Sequence, residues 1–249
     1  MPEQRINLSL VVPVFNEEKR LSEPLLHAYE YLKTNNPEHE ILYVDDGSTD
    51  RTHDLLNELT KQVPTLKVLQ NPKNEGKGAA FQNGLAHAKG DVVLFSDADF
   101  SAPIEESARL LRALQEGYDI VIGSRGLPNS NIEVHQAWTR EYMGKIFNFI
   151  IRSILPLRFH DTQCGFKMFT QKAVRTIVPK LRIKGFAFDV ELLIIGQANQ
   201  LKIAEIPVTW RNVLDSRVHP IRNSLEMLRD TFRIRFNLAN NRYQSASDR

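Results

Sequence analysis

Asp91-Val92-Val93-Leu94-Phe95-Ser96-Asp97-Ala98-Asp99 reads as a strand that runs directly into two carboxylates. Its apolar residues are consecutive rather than alternating, the pattern of a strand covered on both faces, as in parallel sheets. Working outward, the segment before it is helical from Gly78 through Phe81, Leu85 and Ala88, and Leu66-Lys67-Val68-Leu69 precedes that as another strand. Glu40-Ile41-Leu42-Tyr43-Val44 is a strand that ends in Asp45-Asp46-Gly47-Ser48-Thr49-Asp50, whose turn residues lead into a capped helix. Leu8-Ser9-Leu10-Val11-Val12 is expected to stop at Pro13 and to give way to a helix over Glu17–Lys33, closed by Asn35-Asn36-Pro37. Tyr118-Asp119-Ile120-Val121-Ile122-Gly123 is the fifth strand. Strands separated by helical segments predict βαβ units, hence an α/β fold with a mainly parallel central sheet covered by helices on both faces.

The second half is less regular. A helical pattern covers Thr139–Leu155, and Asp161-Thr162-Gln163-Cys164-Gly165-Phe166-Lys167 reads as an irregular polar stretch. Helices near Gln171–Val178 and Asp189–Ala198, a strand at Ile203–Val208 and a basic tail helix over Ile221–Asn241 come after it. No repeat, low-complexity segment or linker interrupts residues 1–249, which predicts one domain.

Composition narrows the classes further. With 42% hydrophobic and 25% charged residues, the chain reads as globular rather than disordered. A single cysteine, Cys164, excludes an internal disulfide framework. The polar start Met1-Pro2-Glu3-Gln4-Arg5 does not read as a signal peptide, and no run reaches the roughly 18 apolar residues of a membrane-spanning helix. The expectation is a cytoplasmic chain, or one peripheral on the cytoplasmic face of a membrane. Charge is divided: residues 1–125 carry 13 Lys and Arg against 20 Asp and Glu, residues 126–249 carry 19 against 10. The basic half reads either as a solvated face or as one turned to something anionic.

Ligands of open α/β sheets sit at the carboxyl ends of the strands, which is where the polar clusters fall. Pro13-Val14-Phe15-Asn16-Glu17-Glu18 follows the first strand, Asp45-Asp46-Gly47-Ser48 the second, Asn74-Glu75-Gly76-Lys77-Gly78 the third and Asp97-Ala98-Asp99 the fourth. Alone, the acidic pair reads either as loop residues capping a helix at Pro103-Ile104-Glu105 or as a seat for a hard divalent cation, Mg²⁺ or Mn²⁺, shared with diphosphate oxygens. Four polar clusters on one sheet edge make a nucleotide pocket, with Lys77 near phosphates.

These motifs, in this order and spacing, resemble the inverting glycosyltransferases of family 2, which have the GT-A nucleotide-diphospho-sugar transferase fold. Gly123-Ser124-Arg125, the 161–167 stretch and Phe186-Ala187-Phe188-Asp189-Val190-Glu191-Leu192-Leu193 are similar to the polyprenyl-phosphate branch, closest to dolichyl-phosphate β-glucosyltransferases. The resemblance spans residues 7–220. It implies that Pro13, Phe15, Glu17 and Asp46 hold the nucleoside, Asp97 and Asp99 the metal and diphosphate, and Arg125 and Arg140 an acceptor phosphate. Ser216-Arg217-Val218 would close over the donor, with Arg217 near its diphosphate. Residues 7–125 would form the nucleotide-sugar half, 126–220 the acceptor half and 221–249 a basic amphipathic tail. The resemblance implies an N-terminal membrane anchor, as in the eukaryotic glucosyltransferases, whereas the expectation from the residues given is a chain without one. Ser101 stands where the related mannose synthases have Gln, which favours a UDP-sugar over a GDP-sugar.

A hydroxyl acceptor would need a general base, whereas a phosphate monoester attacks unaided once positioned. Asp161, Asp189 and Glu191 are the residues that could serve as that base or instead orient an arginine, Lys167 or the sugar. Arginine's planar fork suits a polyprenyl phosphate acceptor. Two segments combine apolar and basic residues: Met143–Leu155, and the tail, where Leu225, Leu228, Phe232 and Phe236 lie among Arg222, Arg229, Arg233 and Arg235. Each reads as a helix packed on the sheet or as a membrane-surface helix. Trp138 and Trp210 either border the acceptor site or belong to the core. No motif points to nucleic acid, and the sequence does not speak to oligomeric state.

Overall fold

The computed structural model describes residues 6–134, 149–211 and 220–244. Strands β1 (Leu8–Val14), β2 (His39–Asp45), β3 (Leu66–Gln70), β4 (Val92–Ser96) and β5 (Ile120–Ser124) are separated by helices α1 (Ser22–Asn35), α2 (Thr52–Leu59), α3 (Lys77–His87) and α4 (Ser107–Gln115). Strand β6 (Asn131–Val134) and the helical residues 149–154, α5, lead to β7 (Phe166–Thr170). Then come α6 (Gln171–Ile177), α7 (Phe188–Ala198), β8 (Ile203–Pro207), β9 (Thr209–Arg211) and α8 (Pro220–Ala239).

Seven strands form one sheet in the order β3-β2-β1-β4-β7-β5-β8, and β6 pairs with β9 beside it. All pairings in the large sheet are parallel except those of β7, which lies antiparallel between β4 and β5. Every residue of β1 and β2 is buried, which accounts for the consecutive apolar residues Leu10–Val14 and Ile41–Val44 within them. Because side chains alternate across a strand, Leu10 and Val12 face a layer containing Leu25, Leu32, Ile104 and Leu110, while Val11 faces Phe81, Leu85 and Phe188.

Three expectations are corrected. Strand β1 does not stop at Pro13: Pro13 and Val14 continue its register with Val44 and Asp45 of β2. Proline is tolerated because pairing on the β4 side ends at Val11↔Phe95, so no ladder bond is required of Pro13 there. The 161–167 stretch is irregular only to Gly165, since Phe166 and Lys167 open β7. Lysine inside a central strand hides that strand from a hydrophobicity reading; here it is buried and ion-paired. Helix α1 also begins later than expected, at Ser22, because the Glu17 carbonyl first closes a turn with the amides of Arg20 and Leu21 (both 3.1 Å).

Candidate active site

The carboxyl ends of β1 and β2 are knitted together by side chains that cap backbone amides. Asn16, at φ 56°, accepts from the Thr49 amide at 2.8 Å and donates its own amide to Ser48 Oγ at 2.9 Å. The Glu17 amide donates to Thr52 Oγ1 at 2.7 Å. Pro13 is buried in the strand, and Phe15 just beyond it stands exposed. The Glu17 carboxylate is held by Arg20, with Nη2 at 2.8 Å.

Asp46, expected to hold a nucleoside, is engaged by three donors of the protein. It is buried, and its oxygens accept from Asn71 Nδ2 at 2.7 Å, the Glu75 amide at 3.1 Å and the Gly76 amide at 2.7 Å. Burial raises its pKa, and those three donors work against the rise. These bonds tie the 71–76 loop to the end of β2.

That loop delivers Lys77, whose ammonium lies 2.6 Å from Asp97 Oδ1 and 5.7 Å from the centre of the Phe95 ring. Asp97 follows β4, its amide donating to the Gly165 carbonyl at 3.0 Å. A Cβ on Gly165 would lie 2.0 Å from Asp97 Oδ2, so only glycine lets the carboxylate sit there. Asp99 turns back to accept from the Ser101 amide at 3.0 Å. Its pKa is raised, first by burial and next by the charge of Asp97.

Beneath the pair, Phe188 packs on Phe81 (ring centres 4.7 Å apart) and Phe95 (5.8 Å), which anchors the first turn of α7. Asp189 therefore projects into the interior, where Lys167 Nζ meets its Oδ1 at 2.6 Å and also donates to the Cys164 carbonyl. Burial raises the pKa of Asp189; Lys167 and then Lys77 oppose it. Burial also pushes the Cys164 thiol up to about 12, so Cys164 is a packed residue rather than a nucleophile.

On the β5 side, Arg125 grips Asp161 through Nε (2.6 Å) and Nη2 (2.9 Å), and its amide also donates to Asp161 (3.1 Å). The guanidinium lies 4.7 Å from the ring centre of Trp210. Burial raises the Asp161 carboxyl, yet Arg125 outweighs it and holds the group down at about 2. The 161–165 stretch links the two sides, since Asp161 holds Arg125 while the Gly165 carbonyl accepts the Asp97 amide at 3.0 Å.

Glu191, a candidate base, is not brought to this group. It is fully buried and accepts from the Arg182 amide (2.9 Å), the Ile183 amide (2.8 Å) and Tyr243 Oη (2.7 Å). Arg140, Arg217 with its neighbours Ser216 and Val218, and Trp138 lie outside the described residues. Sequence reading missed Gly165 as the support of Asp97, and the Ile183 and Lys184 carbonyls packed on Gly76 and Gly78. The positive φ of Gly76 (107°) was the one local signal for the latter, and it is not visible in the sequence.

The acidic pair fits a divalent cation. Asp97 Oδ1 is buried, Lys77 is its cationic neighbour, and Asp99 is pushed toward protonation by Asp97, a repulsion that a cation would relieve. Among the described residues no third His, Cys, Asp or Glu joins them. The donor set is thus two carboxylates, hard oxygen ligands of the kind that Mg²⁺ and Mn²⁺ accept together with waters or phosphate oxygens.

Residues 9–178 match the profile of Glycosyl transferase family 2. The chain belongs to that family. Family 2 relatives of this chain include a dolichyl-phosphate β-glucosyltransferase of Trichomonas vaginalis, 36% identical over 84% of this chain; the chain spans 65% of that relative's length. The human dolichyl-phosphate β-glucosyltransferase is 32% identical over 92% of this chain and 74% of its own. Among solved structures, glucosyl-3-phosphoglycerate synthase from Mycobacterium tuberculosis in complex with UDP superposes with a TM-score of 0.68 at 19% identity, covering 94% of this chain and 80% of that one. The same enzyme has been crystallised with Mn²⁺, UDP-glucose and phosphoglyceric acid. The family 2 chain described here thus has the GT-A fold expected from its motifs.

Proposed function

We propose that this glycosyltransferase moves glucose from UDP-glucose to a polyprenyl phosphate of the dolichyl type, with inversion at the sugar. The observation that carries the reading is the state of the carboxylates around the acidic pair. Asp161 is held by Arg125, Asp189 is buried against Lys167, and Glu191 is engaged elsewhere. A hydroxyl acceptor would find none of these free as a base, whereas a phosphate acceptor needs none. It needs charge compensation beside an anionic donor, and Arg125 supplies it. With Nε and Nη2 on Asp161, Nη1 has no partner among the described residues and is open to a phosphate oxygen.

Asp97 and Asp99 would hold Mg²⁺ or Mn²⁺, which when bound neutralises charge growing on the leaving diphosphate. Lys77 sits where it adds a second positive charge beside that diphosphate. Phe15, Glu17, Pro13 and Asp46, at the carboxyl ends of β1 and β2, would hold the nucleoside, Phe15 being exposed and Pro13 and Asp46 buried. Relatives named for dolichyl phosphate, and the UDP-glucose bound by the mycobacterial synthase, support the choice of substrates.

A lipid acceptor also requires a membrane surface. No described helix is long and apolar enough to cross a membrane. Along α8, Leu225, Phe232 and Phe236 share one exposed face, with Arg229, Arg233 and Arg235 exposed around them and the Arg242 guanidinium 5.2 Å from the Phe236 ring centre. This combination suits the interface of an anionic bilayer. The test is incubation with UDP- and GDP-sugars, Mn²⁺ or Mg²⁺, and a short polyprenyl phosphate, read by mass spectrometry of the lipid. Glucosyl transfer from UDP-glucose is expected; transfer to glycans but never to the lipid phosphate would overturn the assignment.

A further inference from the structure

A carboxylate buried in a protein interior is costly unless hydrogen-bonded, and Glu191 has three donors. Two are the Arg182 and Ile183 amides, and the third is the hydroxyl of Tyr243, fifty-two positions along the chain. Tyr243 is itself fixed just beyond α8: Asn237 Nδ2 donates to its hydroxyl at 3.2 Å, and Asn199 Nδ2 donates to its carbonyl at 2.8 Å. The 182–184 segment held by Glu191 then runs over the start of α3. The Lys184 carbonyl accepts from the Gly78 amide at 2.7 Å, a first-turn donor that a helix cannot satisfy internally, and at 3.2 Å shares the Ala79 amide with the Gly76 carbonyl (2.9 Å). A Cβ on Gly76 would lie 2.4 Å from the Lys184 oxygen, and one on Gly78 2.6 Å from the Ile183 oxygen. Lys184 Nζ also pairs with Glu75. Lys77, between the two glycines, carries the ammonium that meets Asp97.

Tail, strap and Lys77 therefore form one hydrogen-bonded line. We infer that Tyr243 and Glu191 are positioning residues: they latch the end of the tail helix to the 182–184 strap, and the strap fixes the turn that presents Lys77 to the donor. The inference rests on reading the Asp97 cleft as the donor site. A latch of this kind acts on donor binding, since the acceptor side is held independently by Asp161 and Trp210.

The test is Tyr243→Phe, which removes one hydroxyl from a filled core position, with Glu191→Gln as the second variant. Glu191→Gln keeps an acceptor oxygen but not the charge. Loss of one buried hydrogen bond to a charged group corresponds to roughly tenfold in an equilibrium. In Tyr243→Phe the KM for UDP-glucose and the Kd for UDP should rise by about that factor, with kcat and the polyprenyl phosphate KM changed less than about twofold. Amide exchange at Gly78, Ala79, Arg182 and Ile183 should accelerate while the β1 and β2 amides stay protected, and Glu191→Gln should show the same pattern. Unchanged exchange at those four amides, or a donor KM within about twofold of wild type in both variants, would overturn the latch. Failure of the wild-type protein to bind UDP would instead sink the donor reading, which the exchange measurement does not depend on.

Discussion

Replacing Asp189 by Asn separates a structural carboxylate from a catalytic base. Lys167 is 0% and Asp189 6% exposed at the side chain, and their contact is 2.6 Å. Removing one partner of such a pair leaves an ammonium in the interior with only the Cys164 carbonyl and the new amide oxygen for company. The cost of breaking buried pairs is about 3–5 kcal/mol, and the surviving amide acceptor sets this one near ~3 kcal/mol. For a chain of this size each kcal/mol lowers Tm by roughly 2–4 °C, so a fall of about 6–12 °C is expected. The matched apolar replacement, Lys167→Met with Asp189→Leu, should regain most of that loss because no unpaired charge remains. Thermal and guanidinium unfolding measure both variants, with lipid glucosylation assayed well below Tm. If Asp189→Asn melted within about 2 °C of wild type and yet lost transfer by a factor of about a thousand, Asp189 would be the base, and the phosphate-acceptor reasoning would fail.

Asp99→Asn should abolish metal-dependent transfer with little change in Tm, and calorimetry should find Mn²⁺ binding lost; full activity would remove the metal assignment. Arg125→Lys keeps a charge opposite Asp161 but not the fork, so the acceptor KM should rise about tenfold or more with UDP affinity unchanged, and an equal loss of both would contradict its role. Gly165→Ala drives a methyl into the Asp97 carboxylate and should weaken Mn²⁺ binding without unfolding the sheet. Because Arg125 holds Asp161 at about 2, below the unfolded value near ~3.9, the pair's contribution is complete above that value and lost as pH falls toward 2. The Tm difference between wild type and Asp161→Asn should therefore shrink between about pH 4 and 2; a constant difference over that range would count against the pairing.

The donor half was legible because parallel strands are buried on both faces and announce themselves as apolar runs, with turn residues at their ends. Strand β7 was not, since Lys167 is its second residue and the distant Asp189, with the Cys164 carbonyl, makes it tolerable there. Pro13 looked like a terminator because the staggered end of β4 is a property of the sheet, not of β1. Asp46 and Glu191 carry the residue type that chemistry needs, and sequence cannot reveal that backbone amides already engage them. Residue types left Asp161 open between a base and an orienting partner, and its bidentate contact with Arg125 shows which cation it holds. Its stacking surface, Trp210, was ambiguous until β9 was seen to bring it alongside.

A crystal soaked with UDP-glucose and Mn²⁺ and measured at the manganese edge tests the central claim most directly. The anomalous peak should fall between the Asp97 and Asp99 carboxylates, against the donor's diphosphate. A donor bound in the cleft with manganese elsewhere, or with none at all, would contradict the account.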